Sequence, residues 1–196
     1  MRILIAVLSY LAGSVPTGYL LVRMTERKDI RQLGSRSMGA TNVLRVKGWG
    51  TAAVVAAVDI VKGFLPAFLA LRYSGDPVLA ALCGLLSVVG HCFPFAIGFK
   101  GGKGVATSLG AYAAIAWQPL LGSLGLFLVA VGITRYVSLG SILGSLAYPV
   151  LLLASGGPKG VAAFSLAITA RVVFQHRGNI GRLLKGTERK LGDRSA

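Results

Sequence analysis

Residues 34–47 read Gly-Ser-Arg-Ser-Met-Gly-Ala-Thr-Asn-Val-Leu-Arg-Val-Lys, a polar, glycine-punctuated, basic stretch. It is wedged between two apolar runs, 3–23 and 51–71, each long enough to cross a bilayer. A loop this polar between two such runs marks the place where chemistry meets a membrane surface. Gly34, Ser35, Ser37, Gly39 and Thr41 offer backbone N–H groups and hydroxyls to an oxyanion, and Arg36 and Arg45 add positive charge. The stretch therefore predicts a phosphate cradle.

Composition agrees with a membrane setting. The chain of 196 residues is the length of one domain, spanning 1–196, and is 54% hydrophobic with only 14% charged residues. Its mean hydropathy is +0.70. Too few polar residues remain to clothe a soluble globule, so the expected class is an all-α, polytopic integral membrane protein. The 21 Lys and Arg against 6 Asp and Glu give a net charge of +15. These cations fall in short segments between apolar runs, which fits membrane orientation and anionic lipid or substrate. Nucleic acid is not an expected partner, because no aromatic-basic interleaving or groove-reading motif occurs. Cys83 and Cys92, nine residues apart on one helix, would sit roughly 13 Å from each other, beyond disulfide reach. The opening apolar run continues through Pro16, Gly18 and Tyr19 with no small-residue cleavage site after it, so it is read as a retained first span rather than a signal peptide.

Apolar windows predict seven spanning helices, near 3–23, 51–71, 78–96, 105–118, 120–134, 139–155 and 158–175, with a tight turn at Trp117-Gln118-Pro119 and Trp117 at an interface. The alternative merges the fourth and fifth into one kinked helix. With seven spans the loops alternate in two groups, one holding 17 Lys and Arg and the other only Arg2, Arg72 and Lys159. The basic group, with the C-terminus, is expected in the cytoplasm and the N-terminus outside. The glycine-rich basic segments 34–47, 98–104 and 176–190 then share one face and can build one site.

Gly98-Phe-Lys-Gly-Gly-Lys-Gly104 is not a P-loop, which needs four residues before Gly-Lys and a Ser or Thr after it. It is a flexible backbone able to approach a ligand, with Lys100 and Lys103 supplying charge; the competing reading is a loop that only fixes topology. Both 34–41 and 98–107 run from glycine and basic residues through Ala-Thr into a helix, so both can present a helix N-terminus to an anion. In the tail, His176 and Asn179 lie three apart on one helix face, and neither is what a purely electrostatic anchor needs. His91, on the apolar third span, reads as a satisfied structural histidine. Asp59 and Lys62, three apart inside the second span, are expected to neutralise each other, although such pairs also mark transport pathways. The chain carries no Gly-x-Ser-x-Gly elbow, acidic metal motif or carboxylate dyad, and its two histidines and two cysteines lack zinc spacing. No metal or cofactor is expected.

Taken in order, Gly34 to Arg45, Asp59-x-x-Lys-Gly63, Gly98 to Thr107, Ser138-Leu-Gly140 and His176 to Leu184 resemble the bacterial acyl-phosphate:glycerol-3-phosphate acyltransferases, the PlsY family. The resemblance implies a seven-span bacterial inner-membrane enzyme with its site on the cytoplasmic side. It would move a fatty acyl group from acyl phosphate to the 1-hydroxyl of sn-glycerol 3-phosphate, giving lysophosphatidic acid and phosphate. The resemblance also implies Ser35, Arg45, Lys103, His176 and Asn179 as catalytic side chains, and Glu188 as a structural brace. Substrate would be held by Gly34, Arg36, Ser37, Gly39, Thr41 and Asn42 of the first motif and by Gly101, Gly102 and Gly104 of the second. Where that family commonly has Gly-Ser-Gly-Asn, this chain has Gly34-Ser35-Arg36-Ser37, and Arg takes positive φ less readily than Gly. The alternative function is a transporter of glycerol 3-phosphate or another organic phosphate; a non-catalytic lipid-binding scaffold is a third.

Overall fold

The structure, a computed structural model, describes residues 2–193; Met1 and residues 194–196, among them Arg194 of the basic tail, lie outside the described residues. The described residues form helices and connecting turns with no strand.

The expected first span is two helices, α1 (Arg2–Gly13) and α2 (Thr17–Glu26). Pro16 breaks it, since a proline has no N–H for the helical ladder and crowds the preceding turn. The Val15 carbonyl, outside the helical ladder at that break, accepts from the Thr17 N–H at 3.0 Å and from Lys62 Nζ at 2.8 Å. The polar stretch 34–47 is only half a loop: its second part is α3 (Ala40–Lys47), which ends at Gly48 with φ +82°. Then come α4 (Trp49–Ser74) and α5 (Pro77–Cys92). Helix α5 starts where sequence logic puts it, with Pro77 in its first turn and Asp76 accepting from the N–H groups of Val78 and Leu79 at 2.9 and 3.1 Å.

Helices α6 (Val105–Ile115) and α7 (Trp117–Thr134) are separate, as expected, but the turn lies elsewhere. The break is at Ala116, extended at φ −154°, and Trp117, Gln118 and Pro119 form the first turn of α7. Pro119 sits there without cost because first-turn N–H groups have no ladder partner. Trp117 is exposed, as an interfacial residue would be. Helices α8 (Val137–Ala154), α9 (Lys159–Gln175) and α10 (Arg177–Leu184) complete the chain.

Packing relies on small residues that let backbones meet, as helices in lipid require. Between antiparallel α4 and α6, a Cβ on Gly63 would stand 1.9 Å from the Thr107 carbonyl oxygen, and one on Gly110 would stand 1.9 Å from that of Ile60. Helices α1 and α5 meet in the same way at Gly13 against Ser87 and Gly90 against Tyr10. Large apolar side chains such as Ile3, Leu121, Leu128, Ile133 and Val150 stay exposed on the outside. The molecule is a multi-pass membrane protein. Among the described residues, five segments are long and apolar enough to cross a membrane: Arg2–Glu26, Trp49–Ser74, Pro77–Ile97, Trp117–Thr134 and Val137–Ala154. The other two expected spans are shorter, α6 with 11 residues and α9 with 17.

Hydrogen bonds gather the basic segments at one end. Arg31 donates to the Ile97 carbonyl, Lys103 to Asn179, Arg135 to the Leu191 carbonyl, and Ser138 to Glu188. Arg2 instead approaches Asp76, at 3.7 Å. Within the bundle Lys62 and Asp59 pair at 2.7 Å, as their spacing predicted, and Thr17 donates to the same carboxylate oxygen at 3.2 Å.

Candidate active site

A cavity of about 560 Å³ opens among α3, α4, α6, α7, α8 and the tail. At its polar end stand Ser35, Arg45, Lys103, His176, Asn179 and Glu188; toward its other end the wall turns apolar, with Leu109, Tyr112, Leu120, Leu124 and Phe127. Tyr112 stacks on the fully buried Tyr148, ring centroids 3.6 Å apart, behind that wall.

The first wall of the polar end is the turn from Gly34 to Gly39, pinned by one side chain. Asn42 accepts from the Ser35 N–H at 2.7 Å and donates to the carbonyls of Leu33 and Ser37 at 3.0 and 2.7 Å. Its amide, 1% exposed, is thereby committed to the loop. A Cβ on Gly34, at φ +56°, would lie 2.3 Å from the Asn42 Oδ1. Arg36 does adopt the positive φ that the sequence comparison raised, +60°. Gly34, Arg36, Ser37, Gly39 and Thr41 all line the cavity with Ser35. Gly39 precedes α3 and Gly104 precedes α6 as N-caps without a side-chain cap, and both N-termini border the cavity. First-turn N–H groups without partners are anion donors, and the helix dipole favours negative charge there.

The second wall is the Gly98–Gly104 loop. The N–H groups of Gly101 and Gly102 donate to the carbonyls of Cys92 and His91, each at 3.1 Å, and Gln175 donates to the Gly102 carbonyl at 2.9 Å. A Cβ on Gly102 would stand 2.1 Å from the His91 Nε2, and one on Gly101 would stand 2.1 Å from the His91 carbonyl oxygen. These two glycines are seated on the end of α5 and are absent from the cavity lining, whereas Lys103 and Gly104 are part of it.

The tail supplies the third wall. Lys103 Nζ donates to Asn179 Oδ1 at 2.5 Å; Asn179 Nδ2 donates to Glu188 Oε1 at 2.6 Å. Glu188 also accepts from Ser138 at 2.9 Å and from Arg182 at 2.7 Å. Burial works to raise the Glu188 carboxyl, but the hydrogen bonds from Asn179, Ser138 and Arg182 hold it below the usual carboxylate range. Burial, with Arg182 and Arg45 nearby, pulls the Lys103 ammonium down to about 8 despite the attraction of Glu188. Burial likewise lowers Arg45, which Arg189 and Arg182 repel. His176 Nδ1 lies 2.8 Å from the Val172 carbonyl oxygen. A carbonyl only accepts, so Nδ1 carries the proton and Nε2 is the acceptor. Burial, and then the Lys103 charge, lower His176 to about 4, so it is neutral near pH 7.

The structure thus brings all five expected catalytic side chains to one cavity and adds Arg182, Arg189 and Ser138. Arg182 follows Asn179 by three residues on the same face of α10, a signal present in the sequence; Ser138 has none outside its short motif. His91 differs from the expectation. It is buried but not satisfied: its Nδ1 has no hydrogen-bond partner and lies 3.7 Å from Asp59 Oδ1, and both residues line the cavity. Helix pitch shows which residues share one helix's face, but not that α4 and α5 turn these two toward each other. Among the described residues, no group of three His, Cys, Asp or Glu side chains is placed to hold a metal ion.

Residues 3–186 match the family model described as glycerol-3-phosphate acyltransferase. A protein of that name from Synechococcus sp. (strain CC9902) is 44% identical over 192 residues, covering 98% of this chain and 96% of its own. One from Syntrophomonas wolfei is 42% identical, covering 96% of each. The crystal structure of PlsY (YgiH), an integral membrane glycerol 3-phosphate acyltransferase, in its glycerol 3-phosphate form superposes with a TM-score of 0.94 at 38% identity, over 97% of this chain and 96% of that one. Its lysophosphatidic acid form gives 0.90 at 36% identity, over 97% and 95%.

Proposed function

This chain belongs to the glycerol-3-phosphate acyltransferase family, and from that premise we propose how its cavity works. It is an acyltransferase of phospholipid synthesis that acylates glycerol 3-phosphate to lysophosphatidic acid. The donor is acyl phosphate and the acceptor the 1-hydroxyl. One observation carries the reading: a single cavity joins a polar end rich in cations and helix N-termini to an apolar wall on α6 and α7. Such a cavity suits a phosphate and an acyl chain held together. Family membership decides against the transport reading that the intramembrane Asp59–Lys62 pair had kept open.

Arg45, Lys103 and Asn179 grip glycerol 3-phosphate. The N–H groups of the Gly34–Gly39 turn and of the first turn of α3, with Ser35, hold the donor's phosphate, and Arg36, Ser37 and Thr41 border it. Asn42, Gly101 and Gly102 act by fixing these loops. Gly104 opens α6 toward the substrate. Catalysis is then largely positioning and electrostatics, since acyl phosphate carries its own leaving group. The acceptor hydroxyl attacks the acyl carbon, the carbon–oxygen bond to phosphate breaks, and the hydroxyl proton leaves. A phosphate with its second pKa of about 6 is a better proton acceptor than His176 at about 4. The leaving phosphate therefore takes the proton, while His176 Nε2 accepts a hydrogen bond that aims the hydroxyl. No cofactor is required.

The topology that fits is one domain over 1–196 with seven crossings in a bacterial inner membrane. Its basic end, with the C-terminus and the cavity mouth, is cytoplasmic and its N-terminus outside. Support comes from the joining of the basic segments at one end and the Arg2–Asp76 approach between the sparsely charged ones.

The test is purified protein in detergent supplied with acyl phosphate. Phosphate release that depends on glycerol 3-phosphate is the expected result. Uptake of glycerol 3-phosphate by reconstituted vesicles without acyl transfer would overturn the reading.

A further inference from the structure

A second pocket, of about 790 Å³ and more open than the first, lies on the other side of the Gly98–Gly104 loop. Its lining includes Arg36, Lys100, Arg171 and Arg177. Its one acid, Asp29, is taken: Arg31 binds it through Nε at 3.0 and 3.1 Å and through a terminal nitrogen at 2.8 Å. Among the described residues none of the other four cations has an acidic partner.

All four line one concavity, and two of them, Arg171 and Arg177, are also held by aromatic rings. Lys28 and Lys185 belong to the basic segments too, but they lie outside either pocket. Arg171 instead projects from α9, its guanidinium 4.2 Å from the Phe93 ring centroid and 5.2 Å from that of Phe174. Its Nε is buried without a hydrogen-bond partner. Arg177 stacks on the Phe174 ring, 4.6 Å from the centroid. Aromatic faces fix the guanidinium planes without neutralising them. Cations so held in a concavity create a field that calls for a compact anion of more than one charge, and arginine forks match phosphate oxygens.

We infer that this pocket is a second phosphate-binding site, taking a phosphate dianion as inorganic phosphate or as the headgroup of a phosphomonoester lipid. Arg36 lines both pockets, and the 98–104 loop gives Gly98 to Gly101 to one and Lys103 with Gly104 to the other. The site thus adjoins the place where, on the acyltransferase reading, phosphate is released and a phosphomonoester lipid is made. Its link to turnover rests on that reading; its occupancy does not.

The experiment is equilibrium binding of radiolabelled inorganic phosphate to the full chain in detergent at low salt. Wild type is expected to bind phosphate in the main cavity and at one further site outside it. Lys100→Ala with Arg177→Ala, both exposed positions outside the main cavity, should weaken one site by about tenfold or more and leave acyl transfer in place. Lys103→Ala should remove the other site together with activity. Lys28→Ala with Lys185→Ala should change neither, which excludes a general effect of net charge. Displacement of phosphate from the Lys103→Ala protein by short-chain lysophosphatidic acid, at concentrations where inorganic phosphate does not compete, assigns the pocket to a lipid headgroup. Equal competition assigns it to free phosphate. Loss of all phosphate binding in Lys103→Ala, or unchanged binding in the Lys100/Arg177 variant, would overturn the inference. Full activity with both sites intact in Lys103→Ala would instead overturn the catalytic reading and leave the second site standing.

Discussion

Lys103 and Asn179 are joined by a 2.5 Å hydrogen bond from the lysine Nζ to the amide Oδ1, across 76 residues of chain. The amide's other end donates to Glu188, so one asparagine couples the half-buried cation of the cavity to the carboxylate that braces the tail. Asparagine suits this position because it accepts on one side and donates on the other without adding charge.

Asn179→Ala should therefore lose more than one contact. It leaves Lys103 without its acceptor and Glu188 without one of its donors. Charge-assisted hydrogen bonds contribute about 1.5–3 kcal/mol each, so kcat/KM should fall by about a hundredfold or more. Asn179→Asp should act mainly on KM for glycerol 3-phosphate, because a carboxylate beside Lys103 competes with the substrate's phosphate. Steady-state kinetics on both variants checks this, and near-normal values for Asn179→Ala would mean that the coupling is idle.

The pH profile follows from Lys103 and His176. Lys103 is held down to about 8, so its ammonium is present below that pH and is lost as pH rises through it. KM for glycerol 3-phosphate should rise above about pH 8, roughly tenfold per unit once the lysine is neutral. In Lys103→Arg, where the cation cannot titrate, that alkaline limb should vanish. The same shift makes the unfolded chain bind more protons between about 8 and 10.5, so this group's contribution to stability rises with pH across that window. His176 near 4 supplies no acid limb between pH 5 and 7. A wild-type limb near 6.5 that disappears in His176→Ala would make the histidine the base and displace phosphate from that role.

Much of this was legible in one dimension. The cations of Gly34–Lys47, the 98–104 loop and the tail announce themselves because charge between long apolar runs has few reasons to exist, and alternation of spans puts them together. What stayed hidden depends on how helices turn against one another. Asn42 reads as one more polar group in a cradle, yet its amide holds the loop's backbone; Gly101 and Gly102 read as flexibility, yet they are needed for a close seat against α5. The break at Pro16 was visible as a residue, but the use of the freed Val15 carbonyl by Lys62 was not.

Arg36 offers a test in which strain and function pull apart. At φ +60° a non-glycine residue costs about 1 kcal/mol, so Arg36→Gly should raise the unfolding temperature in detergent. The same change removes a cation bordering both pockets. A more stable protein with a raised KM would show that the strained arginine is kept for phosphate. A more stable protein with unchanged kinetics and unchanged phosphate binding would show that it contributes neither.

Gly102 and His91 give the sharpest separation of positioning from contact. Gly102 does not line the cavity, so a role in binding substrate must run through the placement of its neighbour Lys103. Gly102→Ala would set a methyl group 2.1 Å from the His91 Nε2, a distance at which something must move. The imidazole is buried beside Asp59 and cannot swing into solvent. The loop must lift instead, weakening the hydrogen bonds from Gly101 and Gly102 to α5 and drawing Lys103 from Asn179. KM for glycerol 3-phosphate should rise by about ten- to a hundredfold, the scale of a misplaced binding group, with a smaller change in kcat. The second variant is His91→Ala in the Gly102→Ala background, which removes the obstructing ring. Partial recovery of KM in the double variant, beyond what the two single changes predict by addition, would show that the glycine is there to clear the histidine. Strict additivity would show that Gly102 serves some other need, such as backbone freedom of the loop during turnover.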